Sequence, residues 1–119
     1  MSATAITSSQ TSIIMAKVMT EQNFKSIVDE GLPVVIDFSA TWCGPCQKVS
    51  PIIDELATDY EGRVNICKCD VDENADLASQ FGVRNIPTVI FLKGGELVGR
   101  QVGAGTKDSY IKTIEDTLL

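Results

Sequence analysis

Cys43 and Cys46, separated only by Gly44 and Pro45, are the residues of this chain best placed to do chemistry. Two thiols at that spacing can exchange an electron pair with a disulfide, or they can supply half of a metal site. Their surroundings favour the first use. Upstream, Val34-Val35-Ile36-Asp37-Phe38 is an apolar, β-prone run, and Ser39 to Trp42 lead directly into the first cysteine. Downstream, Val49, Ile52, Ile53, Leu56, Ala57 and Tyr60 recur at helical spacing, which puts Cys43 at or just before a helix N-terminus. The unpaired N–H groups and the helix dipole there favour negative charge, so a thiol at that point ionises more readily. Cys43 is therefore the candidate nucleophile and Cys46 the candidate resolving thiol. Side chains three apart on a helix have Cβ atoms about 5 to 6 Å apart, and a small adjustment closes a disulfide. Gly44 permits the close approach, and Pro45 brings a φ suited to a first helical turn with no N–H to leave unpaired.

Asp37 is the second residue of note, because a carboxylate inside an apolar strand is costly to keep ionised if that strand is central. Desolvation then raises its pKa and makes it a candidate proton relay to Cys46. If the strand lies at an edge, Asp37 is a solvated acid instead. Cys67 and Cys69 stand either side of Lys68 in a second β-prone run. Same-face neighbours on a strand are about 6.6 Å apart, too far to bridge without distortion. They read as small buried side chains, the alternative being a zinc or iron–sulfur site made with Cys43 and Cys46.

The elements that must position these residues follow from periodicity and turn chemistry. Ile13 to Met19 read as a first strand, and Thr20 as the N-cap of a short helix with Phe24, Ile27 and Val28 inward. Val34 to Phe38 form the next strand, and the long helix after the dithiol is expected to kink at Pro51. Val64 to Cys69 read as a third strand, and a short helix with Leu77, Ala78 and Phe81 ends at Gly82. Thr88 to Leu92 and Leu97 to Val102 flank Lys93-Gly94-Gly95-Glu96, a hairpin. Thr106 caps a last helix with Tyr110, Ile111, Ile114 and Leu118 on one face. Alternating strands and helices followed by a hairpin make an α/β domain with a mixed central sheet.

Composition narrows the function further. At 119 residues and 44% hydrophobic content the chain suits one core. A net charge of −6 argues against nucleic acid and anionic membranes, and points to protein partners. Histidine is absent, which excludes Cys-His and Ser-His-Asp hydrolases and any zinc site that uses histidine. No apolar run reaches the ~18 to 20 residues of a membrane span, and no secretion signal is recognisable at the start. Residues 1–15 read as a flexible polar extension, since residues 1–12 are mostly Ser, Thr, Ala and Gln. With four cysteines, the expected setting is a reducing one, the cytoplasm.

The stretch from Asp37 to Cys46 resembles the active-site signature of the thioredoxin family. The resemblance extends to Pro51-Ile52-Ile53-Asp54-Glu55-Leu56-Ala57, to Lys68, to Asp70-Val71-Asp72, to Val83-Arg84-Asn85-Ile86-Pro87-Thr88 and to Val102-Gly103-Ala104, covering residues 16–119. Ser39 and Gln47 depart from the usual pattern. The resemblance implies the thioredoxin fold, an α/β mixed central sheet flanked by helices, and a monomeric protein-disulfide reductase. Catalysis then rests on Cys43, Cys46, Asp37 and Lys68, the last as charge partner of Asp37. Trp42, Gly44, Pro45, Ile86, Pro87 and Gly103 line the substrate site, with the Ile86–Pro87 bond cis against the dithiol. The implied partners are protein disulfides and a thioredoxin reductase-type electron donor, with no metal or other cofactor.

Overall fold

The computed structural model describes residues 14–119, so the expected flexible extension lies up to residue 13 outside the described residues. The described chain runs β1 (Lys17–Val18), α1 (Phe24–Val28), β2 (Val34–Ser39), α2 (Gly44–Asp59), β3 (Asn65–Asp70), α3 (Ala75–Gln80), β4 (Thr88–Lys93), β5 (Glu96–Val102) and α4 (Lys107–Thr113). A π-helical turn, Ile114–Leu118, continues α4.

The strands form one sheet in the order β1-β3-β2-β4-β5. β2 is therefore central, parallel to β3 and antiparallel to β4. Five of its six residues, Val34 to Phe38, are buried, as a strand covered on both faces requires. Alternation along β2 sends Val35 to one core, with α2, Tyr110 and Ile114, and sends Val34, Ile36 and Phe38 to the other, with Ile27 and Leu77. Thus α2 and α4 cover one face and α1 and α3 the other.

Two expected features are corrected. The first strand is only two residues long, because the chain before it is bonded elsewhere. The Ile14 N–H donates to Thr58 Oγ1 at 3.3 Å, and the Ala16 N–H donates to Asp54 Oδ1 at 3.0 Å. Those residues bind the side chains of α2 in place of a strand neighbour. Thr20 caps the turn before α1 and not α1 itself: its Oγ1 accepts the Asn23 N–H at 3.2 Å, while Asn23 Oδ1 accepts the Thr20 N–H at 2.7 Å. The helix N-cap is Asn23. At Pro51, α2 continues as one 16-residue helix. The missing donor costs one hydrogen bond, and the apolar stripe of Val49, Ile53 and Leu56 holds both halves on the sheet.

The hairpin forms as expected, with Lys93 paired to Glu96 across Gly94 and Gly95. Both glycines have positive φ, the conformation a tight two-residue turn demands. Thr106 caps α4 in a reciprocal box with Ser109.

Candidate active site at the helix N-terminus

The dithiol sits where central strand β2 hands the chain to α2. Cys43 is the N-cap of that helix, with extended φ and ψ of −90° and 113°, and its sulfur accepts the Cys46 N–H at 3.2 Å. One of the helix's orphan donors is thus spent on the sulfur that must carry charge. Pro45 falls in the first turn, where its missing N–H leaves no gap. Cys43 and Cys46 are joined as a disulfide with Cα atoms 5.3 Å apart. They are 5% and 1% exposed, packed with Ala40, Val71 and Ile86. Cys43 carries the larger exposed fraction of the two.

Around that sulfur the chain presents a rim. The Ile86–Pro87 bond is cis, and the Ile86 carbonyl oxygen lies 4.0 Å from Cys43 Sγ. Gly103 donates its N–H to the Pro87 carbonyl at 2.8 Å. Its φ of +90° is a conformation that side-chain-bearing residues rarely adopt, and the space a Cβ would enter is open. Trp42 is 70% exposed and belongs to neither core; its indole N–H donates to Asp72 Oδ2 at 2.8 Å. Gly44 likewise has open space at its Cβ position.

On central strand β2, Asp37 is fully buried, and neither carboxylate oxygen has a hydrogen-bond partner. Burial pushes its carboxyl up to about 7, with the Lys68 ammonium pulling it down and the Asp54 carboxylate pushing it up. The solvated-edge alternative is thereby overturned. Asp37 and Lys68 are register partners on adjacent parallel strands, so their side chains share the face that α2 covers.

Lys68 acts on Asp37 through its charge, as expected of a charge partner, but its hydrogen bonds go elsewhere. Its Nζ donates to Asp54 Oδ2 at 2.9 Å and to Ser50 Oγ at 2.6 Å, both on α2. The half-buried ammonium is drawn to the oxygens that a helix can bring to it, and Asp37 is left without a direct partner. Ser50 and Asp54 were missed from sequence as site residues. The signal was present: they stand four apart on a helix, one polar strip beside the apolar stripe.

Cys67 and Cys69 are free thiols, buried in the core under α1 and α3. Burial pushes both up to about 12. They lie in a different cluster from Cys43 and Cys46, so the four cysteines do not converge as one set of ligands.

The family model described as Thioredoxin matches residues 15–116. The chain belongs to the thioredoxin family. It is 45% identical over 101 residues to thioredoxin 1 of a Nostoc species, covering 84% of this chain and 94% of that one. It is 46% identical over 98 residues to the thioredoxin of Chlorobaculum thiosulfatiphilum, covering 82% and 91%. A mutant thioredoxin from Halobacterium salinarum superposes with a TM-score of 0.79 at 35% identity, covering 88% of this chain and 92% of that one. The mixed five-stranded sheet with four helices is accordingly the thioredoxin fold.

Proposed function

We propose that this chain is a thioredoxin acting as a protein-disulfide reductase, and that residues 16–119 form its working domain behind the extension 1–15. The observation that carries the reading is the closed Cys43–Cys46 pair at the N-terminus of α2, with the outer sulfur accepting a helix N–H. In the reduced form, Cys43 thiolate attacks a client disulfide. A Cys43–client bond forms, the client bond breaks, and the first client thiolate leaves and is protonated. Cys46 then gives its proton to Asp37 and attacks Cys43 Sγ. The Cys43–Cys46 bond forms, the client sulfur leaves with the electron pair, and the client has gained two electrons in all. A thioredoxin reductase-type donor returns two electrons to the pair.

Site roles follow from this reading. Trp42, Gly44, Pro45, Ile86, Pro87 and Gly103 border the outer sulfur, and an extended client segment laid across them pairs with backbone while its disulfide meets Cys43. Lys68 acts on Asp37 through its charge across the strand pair. The protein works as a monomer in the cytoplasm. That setting is in keeping with two free buried thiols, and among the described residues no helix is long and apolar enough to cross a membrane.

Insulin reduction driven by dithiothreitol tests the mechanism. The wild type is expected to accelerate precipitation of the insulin chains, and Cys43→Ser to fall to the uncatalysed background. Activity surviving in Cys43→Ser overturns it.

A further inference from the structure

The geometry around Asp37 assigns Asp54, assisted by Ser50, as a positioning residue that holds the Lys68 ammonium on α2 and so keeps Asp37 unpaired. The inference deepens the reductase reading, which supplies the need for a base at Asp37.

Lys68 and Asp37 are register partners on neighbouring strands, with side chains on the same face. Strands lie about 4.8 Å apart, well within reach of a lysine stem. A buried carboxylate with two bare oxygens is the strongest local invitation a cation can receive. Lys68 nevertheless donates to Asp54 at 2.9 Å and Ser50 at 2.6 Å. The competing anion is itself fixed: Asp54 Oδ1 accepts the Ala16 N–H at 3.0 Å while Oδ2 takes the lysine. Asp54 therefore cannot follow Lys68 toward the sheet without giving up the chain segment before β1.

The groups coupled to Asp37 by charge are Lys68 and Cys69 from β3, Asp54 from α2 and Tyr110 from α4, with Cys69 on the opposite face of the sheet; the register partner of Asp37 on β4 is the apolar Val89. The Tyr110 hydroxyl is engaged with the Gly105 N–H, accepting it at 2.9 Å. Lys68 is thus the one cation in this set, and its position decides whether Asp37 is a strong or a weak base. Held by Asp54, it leaves Asp37 able to take the Cys46 proton near neutral pH. Released, it ion-pairs with Asp37 and fixes it as a carboxylate of low basicity.

The test is the Asp37 carboxyl titration, followed by carbon-13 NMR on the oxidised protein, where neither active-site thiol titrates. Asp54→Asn is expected to lower the Asp37 midpoint by about one pH unit, the scale of a newly adjacent opposite charge. Asp54→Glu is expected to restore it. In a Lys68→Gln background the Asp54→Asn shift is expected to fall to less than half. The pH midpoint of mixed-disulfide resolution should move down with the titration. An unmoved midpoint in Asp54→Asn overturns the assignment, and so does a shift of equal size without Lys68, since Asp54 would then act on Asp37 directly. If Asp54→Asn fails to fold, Ser50→Ala decides: a smaller downward shift supports the assignment and none overturns it. Because the titration needs no turnover, its failure is distinct from failure of the reductase reading, which the Cys43→Ser assay reports.

Discussion

This chain carries two cysteine pairs, and they differ in almost everything except composition. Cys43 and Cys46 cap and open a helix, whereas Cys67 and Cys69 lie two apart within a β-strand. At the helix end the backbone itself supplies an N–H to the sulfur, and the two side chains rise on one side of a turn, close enough to bond. In the strand Cys67 and Cys69 are paired across the sheet with Ile36 and Phe38, and both thiols point into an apolar core that pushes them up to about 12. Burial alone does not account for the contrast, since all four are buried. The helix terminus accounts for it: it supplies a field and a donor that the strand lacks.

The largest expected effect comes from removing the second thiol of the active pair. In Cys46→Ser the Cys43 thiolate still attacks a client disulfide, but nothing within the chain resolves the adduct. Incubation of the reduced variant with an oxidised protein client should therefore accumulate the mixed disulfide to near stoichiometry, read by mass on a non-reducing gel. The wild type should show almost none. An adduct mapped by peptide mass to Cys67 or Cys69 breaks the comparison outright.

Alkylation sharpens the same contrast in one protein. After reduction at mildly acidic pH, limiting iodoacetamide should modify Cys43 first, Cys46 more slowly, and Cys67 and Cys69 at least about a hundredfold more slowly than Cys43, because only thiolate reacts. In denaturant the four rates should converge. Strand thiols labelled at rates near that of Cys43 in the folded protein would mean that the helix terminus is not what separates the pairs.

Asp37 extends the comparison to the two faces of the sheet, since a buried carboxylate lies on the α2 face while the buried thiols Cys67 and Cys69 lie on the other. Its folded pKa of about 7 stands above the ordinary 3.8 because burial penalises the charged form. The sign follows. The stabilisation is fully present below pH ~4, where the group is neutral in both states, and is lost as pH rises through the folded pKa. Across that window the wild type should lose up to about 4 kcal/mol relative to Asp37→Asn, whose amide does not titrate. The cost of burying the amide is a constant offset. Urea melts of both proteins from pH 4 to 8 measure the difference, and a flat difference places Asp37 in contact with water.

Much of this was legible in the sequence, for identifiable reasons. The strand before the dithiol, the helix after it, the hairpin and the last cap all depend on local chemistry: β-branched runs, helical spacing, paired glycines, a capping threonine. The errors came from long-range competition. β1 is short because Thr58 and Asp54, some 40 positions away, take the hydrogen bonds of Ile14 and Ala16. Lys68 was legible as a charge near Asp37, but only the packing of α2 brings Ser50 and Asp54 to it as hydrogen-bond partners. Asp37 could be recognised as buried from its apolar neighbours, but its lack of any partner is a fact of three dimensions.

The smallest expected effect belongs to the strand pair itself. If Cys67 and Cys69 serve only as small apolar side chains, replacing both by alanine removes two sulfur atoms from the core beside Ile36 and Phe38 and no chemistry. Each truncation should cost about 1 kcal/mol, the common scale for a modest core loss, which lowers Tm by about 4 °C per site in a domain of this size. Insulin reduction by the double variant should stay within about twofold of wild type at 25 °C. Oxidant treatment should close Cys43 to Cys46 in both proteins at the same rate, because the strand thiols neither compete for the oxidant nor exchange with the active pair. A double variant that is well folded but several-fold slower in insulin reduction would show that the strand pair takes part in electron transfer, and burial in a strand would no longer suffice to make a thiol inert.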